Sequence, residues 1–233
     1  MSKLFGYFST SALWGRGFRP FFLLAAAYSV FCLLAWGGFL GGFVGRPSYF
    51  PDPTLWHAHE MLYGFTMAVV AGFLLTAVAN WTGWAPVRHF HLFFLCCLWG
   101  LGRVALNMSQ MPYHLAILIE GLFIPALAIS LLVPLYKSRN VRNFIFLFLL
   151  GGLFVADMAF MVLQDLRSLH VTLLFILMMV SVVGGRIIPA FTVAALRQRG
   201  QDVRVTDQKQ LDSLCLLSLL GLMLSFISYS EAG

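Results

Sequence analysis

The run FFLLAAAYSVFCLLAWGGFLGGFV, from Phe21 to Val44, contains no charged residue, and its reading decides the fold. An α-helix rises about 1.5 Å per residue, so about 20 such residues cross the roughly 30 Å of hydrocarbon in a bilayer. Six further apolar runs follow: Ala58 to Ala79, His91 to Asn107, Pro112 to Tyr136, Asn143 to Gln164, His170 to Leu196 and Leu211 to Tyr229. The third and last of the seven are the shortest, so their ends are the least defined. The pattern predicts an all-α, polytopic transmembrane helix bundle of about seven spans, forming a single domain over residues 1–233. Short connections make consecutive helices antiparallel neighbours.

Composition excludes a soluble domain. Of the 233 residues, 60% are apolar and 10% charged, with a mean hydropathy of +0.86, whereas roughly a quarter of the residues in a soluble domain carry charge. A net charge of +6 raises the question of nucleic acid. The basic residues, however, sit in short segments between apolar runs, so the bilayer is the expected partner and nucleic acid is not. A cleavable signal peptide is not expected, because the first run starts only at Phe21 and is longer than such a segment's core. Cys32, Cys96, Cys97 and Cys215 all fall inside apolar runs without C-x-x-C spacing, which reads as packing rather than a disulfide framework.

Charge sets the orientation. Lys3, Arg16, Arg19, Arg88, Lys137, Arg139, Arg142, Arg197, Arg199, Arg204 and Lys209 all fall on one side of the seven spans, against Arg46 and Arg167 on the other. The positive-inside rule places the N-terminus in the cytoplasm and the C-terminus outside. The pairs Gly37-Gly38 and Gly41-Gly42 create G-x-x-x-G spacings, read first as close helix packing within the chain and second as a homodimer contact. The sequence stops at Ser230 to Gly233 directly after an apolar run, the expectation for part of a longer protein.

Within this topology the ionisable residues gather toward the outer half. His57, His59 and Glu60 open span two there, His114 opens span four and His170 span six, while Arg103, Glu120 and Asp157 lie deeper on spans three, four and five. Charges at such depths face a bundle interior, pair with each other or line a functional cavity. A lone histidine at a helix entrance is an interfacial cap, but four at one end supply neutral imidazole nitrogens, which suit haem iron and copper. The metal-ligand candidates are therefore His57, His59, Glu60, His114 and His170. His57 and His59, two residues apart, point about 200° away from each other on a continuous helix, so they share one metal only if His57 precedes the helix. Glu60, three residues after His57, is expected to orient that ring. Met158 and Met161 are weaker copper candidates, read first as core filler. Arg186, with Arg103, is a cofactor-binding candidate that could neutralise a carboxylate such as a haem propionate, with snorkelling to the interface the alternative. His89 and His91 are read as interfacial.

Three stretches carry a family resemblance: Gly17-Phe18-Arg19-Pro20-Phe21-Phe22; Trp56-His57-Ala58-His59-Glu60-Met61-Leu62-Tyr63-Gly64-Phe65 with Ala71 to Gly83; and Gly184-Gly185-Arg186-Ile187-Ile188-Pro189-Ala190-Phe191-Thr192. Together they resemble the NnrS family of haem- and copper-containing membrane proteins. The resemblance implies a bacterial inner-membrane protein of nitric oxide metabolism or nitrosative stress tolerance, carrying b-type haem and copper and meeting nitric oxide as its small-molecule ligand. Family members usually have more spans, so it also implies the N-terminal portion of such a protein. Whether the chain is an enzyme is left open. Two other classes compete: a transporter or proton channel using the intramembrane His, Glu, Asp and Arg residues, and a haem-bearing electron-transfer subunit.

Overall fold

The computed structural model describes residues 12–45, 49–201 and 209–228. Seven helices among them are long and apolar enough to cross a membrane, and no strand occurs among the described residues. We label these helices α1 (Phe18–Leu40), α2 (Pro53–Thr82), α3 (His89–Asn107), α4 (Tyr113–Lys137), α5 (Ile145–Leu163), α6 (Leu166–Gln198) and α7 (Lys209–Ser228). This is the architecture of a multi-pass membrane protein. Lys3, Arg46, Arg204 and Tyr229 to Gly233 lie outside the described residues.

Local chemistry shifts the ends from those expected. α1 begins at Phe18 because Pro20 is tolerated in the first helical turn, where its missing N–H has no intrahelical partner. It ends at Leu40 because the glycine run turns: Gly41 N–H returns to Gly37 O at 2.9 Å and Gly42 takes a φ of 72°. The paired glycines therefore terminate the helix. A Cβ at Gly37 would meet nothing within 4 Å, and those at Gly38 and Gly41 would meet Val44 and Phe43 of the same turn, so among the described residues no other helix packs closely on them. α2 begins at Pro53, because the Asp52 carboxylate accepts from Thr54 N–H at 2.6 Å and Leu55 N–H at 3.0 Å, with proline at the first position. His57 is thus inside the helix and not in a preceding turn. α6 likewise starts before His170, which sits one turn in.

The chain forms two compact units, residues 1–169 and 170–233. In the first, α2 is the central helix and its neighbours are α1 and α4, with α3 packed on α4 and α4 on α5. Met67, Ala68, Ala71, Leu74 and Leu75 of α2 are fully or almost fully buried. Leu23, Val30, Leu33, Leu34, Phe148 and Val155 are exposed large apolar residues, the surface expected to face lipid. Since lipid is as apolar as leucine, close packing of small groups and internal hydrogen bonds hold such helices together. One end of the unit is tied by side chains: Gln164 donates to Tyr49 O at 2.6 Å and to the Tyr113 hydroxyl at 3.0 Å, and that hydroxyl donates to Met161 O at 2.6 Å. At the other end Asn140 donates to Trp81 O at 3.0 Å.

The second unit is an antiparallel helical hairpin. Asp212 Oδ1 lies 2.8 Å from where a Cβ on Gly185 would sit, Ser181 Oγ is 3.2 Å from Cys215 Sγ, and the His170 ring lies 5.2 Å from that of Phe226.

In the first unit the chain entering α1 approaches α2 closely at Gly17, where a Cβ would stand 2.6 Å from Leu75 Cβ, a rigid atom next to the backbone. Gly17→Ala is expected to destabilise the protein by about 1–3 kcal/mol through overpacking. Gly100→Ala, with nothing within 4 Å, should leave stability unchanged. Thermal unfolding in detergent distinguishes the two, and equal melting temperatures would exclude this contact.

Candidate metal centre

Two irregularities in the helices frame the polar interior. From Glu60 to Thr66, α2 widens into a π-helical turn, a form that is rare and frequent at functional sites. Its loosened backbone is satisfied from outside the ladder: Thr66 Oγ1 donates to Met61 O at 2.9 Å, and the Trp99 indole donates to Gly64 O at 3.0 Å. α4 is interrupted at Gly121 and Leu122, between Tyr113–Glu120 and Phe123–Lys137. Pro125 has no N–H for the carbonyl of Gly121, so the helical ladder is weakest there. Irregular backbone at membrane depth is tolerated where it is buried in protein.

Between these irregularities lies a continuous polar chain to which each of the first five helices contributes. Tyr28 of α1 donates to Glu60 Oε2 of α2. Arg103 of α3 donates through Nη1 to the same Glu60 Oε2 at 2.9 Å, and through Nη2 to Glu120 Oε1 of α4. Glu60 Oε1 lies 3.1 Å from His59 Nδ1, and His59 Nε2 lies 3.1 Å from Asp157 Oδ1 of α5. His59 and Glu60 are 0% exposed, Asp157 1%, and Arg103 and Glu120 5%, so water does not screen this network. A Cβ at Gly102 would clash with Glu120 Oε2, so glycine there makes room for the carboxylate.

The charge count is unbalanced. With all five groups ionised, Arg103 and His59 contribute two positive charges and Glu60, Glu120 and Asp157 three negative, a net of one negative. Such a residue of charge in an apolar bundle is costly, and one proton or one bound cation cancels it. Asp157 Oδ2 is buried with no hydrogen-bond partner among the described residues, so the surplus acceptor is identifiable. Ligand atoms of His59, Glu120 and Asp157 all lie within 4.8 Å of one another. One imidazole nitrogen with carboxylate oxygens is a donor set for a divalent first-row metal, copper(II) included. Aromatic rings fix the imidazole: Tyr63 stacks on it with centroids 5.0 Å apart, and Phe160 at 5.3 Å.

Of the residues expected as ligands or cofactor contacts, His59, Glu60 and Arg103 meet here. Glu60 contacts His59, at the start of the π-turn, rather than His57. His57 instead stacks on Trp36 with centroids 4.3 Å apart and an interplanar angle of 10°, and its Nδ1 is buried with no hydrogen-bond partner among the described residues. His114 is exposed at the start of α4. His170 belongs to the second unit, its ring against Phe226 and its Nδ1 likewise buried without a partner, and Arg186 is half-buried in that unit. Met161 is buried, with its sulfur 3.8 Å from the Tyr113 hydroxyl. Glu120 and Asp157, read from the sequence only as deep charges, turn out to share with His59 the group of closely spaced ligand atoms. Tyr28 gave no signal, since a tyrosine in an apolar run reads as packing.

A family model described as NnrS protein matches residues 12–232, nearly the whole chain. The chain belongs to the NnrS family. No curated protein and no solved structure matches it significantly. The family match therefore stands beside the geometry, and the motif Trp56 to Phe65 that carried the resemblance contains the two residues at the middle of the polar chain.

Arg103 bonds both Glu60 and Glu120. Replacing it by methionine leaves two buried carboxylates uncompensated, with an expected loss of about 3–5 kcal/mol. Adding Glu120→Gln to that variant should recover part of the loss. Melting temperatures of the single and double variants in detergent test this, and additive losses would show that the pair is not coupled.

Proposed function

We propose that this protein is a haem- and copper-binding inner-membrane protein of the bacterial nitric oxide response, oriented with its N-terminus in the cytoplasm. The observation that carries the reading is the imidazole and carboxylate group sealed among five apolar helices, with one carboxylate oxygen, Asp157 Oδ2, lacking a hydrogen-bond partner among the described residues. Family membership supports the nitric oxide context.

In this reading His59, Glu120 and Asp157 hold copper, while Glu60 and Arg103 orient and neutralise the ligand shell. Outer partners of this kind fix ring orientation and tune affinity. His57 and His170, each within its own unit, offer an imidazole nitrogen without a hydrogen-bond partner among the described residues and would be the candidates to hold haem. Bound haem iron supplies direct ligation of nitric oxide, and copper a second redox centre. The chain's own part is to exclude water and hold the charge balance. Nitric oxide, being small and apolar, reaches such a centre through lipid and the apolar helix surfaces without a polar channel.

The uncancelled charge also suits a proton- or ion-carrying role, so the transporter class remains the second reading. Protein purified after haem- and copper-sufficient expression is expected to show a Soret band that shifts with nitric oxide, and bound copper. His59→Ala and Asp157→Ala should reduce copper at least about tenfold, the usual upper range for loss of even an outer partner being 100-fold. His57→Ala should weaken the Soret band, whereas His114→Ala and His89→Ala should leave both signals intact. A protein with neither metal that moves protons or solute in liposomes would replace this reading with the transporter, and a six-coordinate haem inert to nitric oxide with the electron-transfer subunit.

A further inference from the structure

The first unit also carries a site of different character, at the end where α2 leads into α3 and α4 runs out. The connection from Gly83 to Arg88 is set by two left-handed residues, Gly83 with a φ of 68° and His89 with a φ of 57°. It caps a cleft of about 570 Å³ between α3 and α4, within the range of roughly 300–1,000 Å³ found for small-molecule sites. The floor is Leu95, 1% exposed, and Ser130, 8% exposed. The walls are the exposed apolar side chains of Phe94, Ile129 and Val133.

The polar groups sit at one end of this apolar space. The Ser130 hydroxyl donates to Ala126 O at 2.8 Å, so it accepts from His91 Nε2–H at 2.9 Å and the floor is already satisfied internally. At the rim, Arg88 and Trp84 line the cleft, and the Lys137 ammonium of α4 lies 5.0 Å from the Trp84 ring centroid. Lys137 follows Val133 by one turn and shares its face. No Asp or Glu occurs anywhere between Glu60 and Glu120 or between Glu120 and Asp157. The rim is therefore cationic, and the one acid on α3 and α4, Glu120, is already paired with Arg103. A groove that is oily along its length and cationic at its mouth, on a helix surface that meets the bilayer, is complementary to a molecule with one anionic head and an apolar chain.

We propose that this cleft binds an anionic phospholipid of the bilayer, its phosphate held between Arg88 and Lys137 and one acyl chain lying along Phe94, Ile129 and Val133. The site is independent of the metal reading, since none of its residues takes part in the polar chain around His59. Basic residues at a membrane surface each favour anionic lipid by roughly fivefold, so losing two cations should cost about thirtyfold.

The test titrates phosphatidylglycerol and, separately, phosphatidylcholine onto the purified full chain in detergent, with bound lipid counted by native mass spectrometry. The wild type is expected to retain phosphatidylglycerol in preference to phosphatidylcholine. Arg88→Gln with Lys137→Gln should lose about thirtyfold in that binding, and Ile129→Trp, which fills the cleft, should lose it as well. Circular dichroism and metal content should be unchanged in the double variant. Arg139→Gln removes a charge outside the cleft and should leave binding within about twofold. Equal binding of the two lipids, or an equal loss in Arg139→Gln, would overturn the proposal in favour of unspecific surface charge. Displacement by inorganic phosphate alone would overturn it in favour of a soluble anion, and displacement by a short-chain ubiquinone in favour of a neutral quinone.

Discussion

The Arg103 guanidinium, forked between Glu60 and Glu120 in the middle of an apolar bundle, is the constraint on which the first unit depends. A guanidinium is always charged and cannot shed its cost by deprotonation. It must find anions, and those it finds belong to α2 and α4. Glu60 then engages Tyr28 of α1 and His59, and His59 engages Asp157 of α5. One buried cation thereby fixes the relative depth of five helices. Apolar contact among lipid-like surfaces cannot do this, since sliding one leucine-rich helix along another changes little in energy. The departures of α2 and α4 from regular α-helix fall at Glu60 to Thr66 and at Gly121 and Leu122, beside the two carboxylates that Arg103 holds.

Much of this was legible from residue pattern. Long, predominantly apolar runs gave the seven helices, because hydrocarbon thickness is a hard length requirement and backbone polar groups leave few other spanning structures. The gathering of Arg103, Glu120 and Asp157 at one depth was also legible, since rise per residue converts position in a run into height. What pattern could not supply was direction around the axis. The rule that neighbours two apart diverge set His57 and His59 toward different partners, yet three-residue spacing joined Glu60 to His57, whereas Glu60 engages His59, Tyr28 and Arg103. The Gly37 to Gly42 pairs look the same in sequence whether they seat a neighbouring helix or unwind their own. Only the backbone turn at Gly42 tells which.

The polar chain and the lipid-facing cleft show two ways in which one apolar chain accommodates polarity. Around His59 every charge is withdrawn from both water and lipid, and its cost is met by partners inside the protein. Around Arg88 and Lys137 the charges stay at the edge, where the headgroup region can receive them. His91 and His59 illustrate the contrast, since one is bonded to a neutral serine at the rim of an open groove and the other lies between two carboxylates under stacked aromatic rings. Residue type alone does not separate these roles. Depth and the sign of the neighbouring charge do.

The first half of α4 has a mechanical consequence. Tyr113 at its start is fastened to Met161 and Gln164, and Glu120 at its end is fastened to Arg103, while Gly121 and Leu122 release it from the rest of the helix. An eight-residue rod clamped at both tips and jointed at one behaves as a strut. A change of partner at Glu120 is transmitted along its length to the surface loop ahead of Tyr113 and hardly at all to the half beyond the joint, so events in the sealed interior have a built-in route to the outside of the molecule.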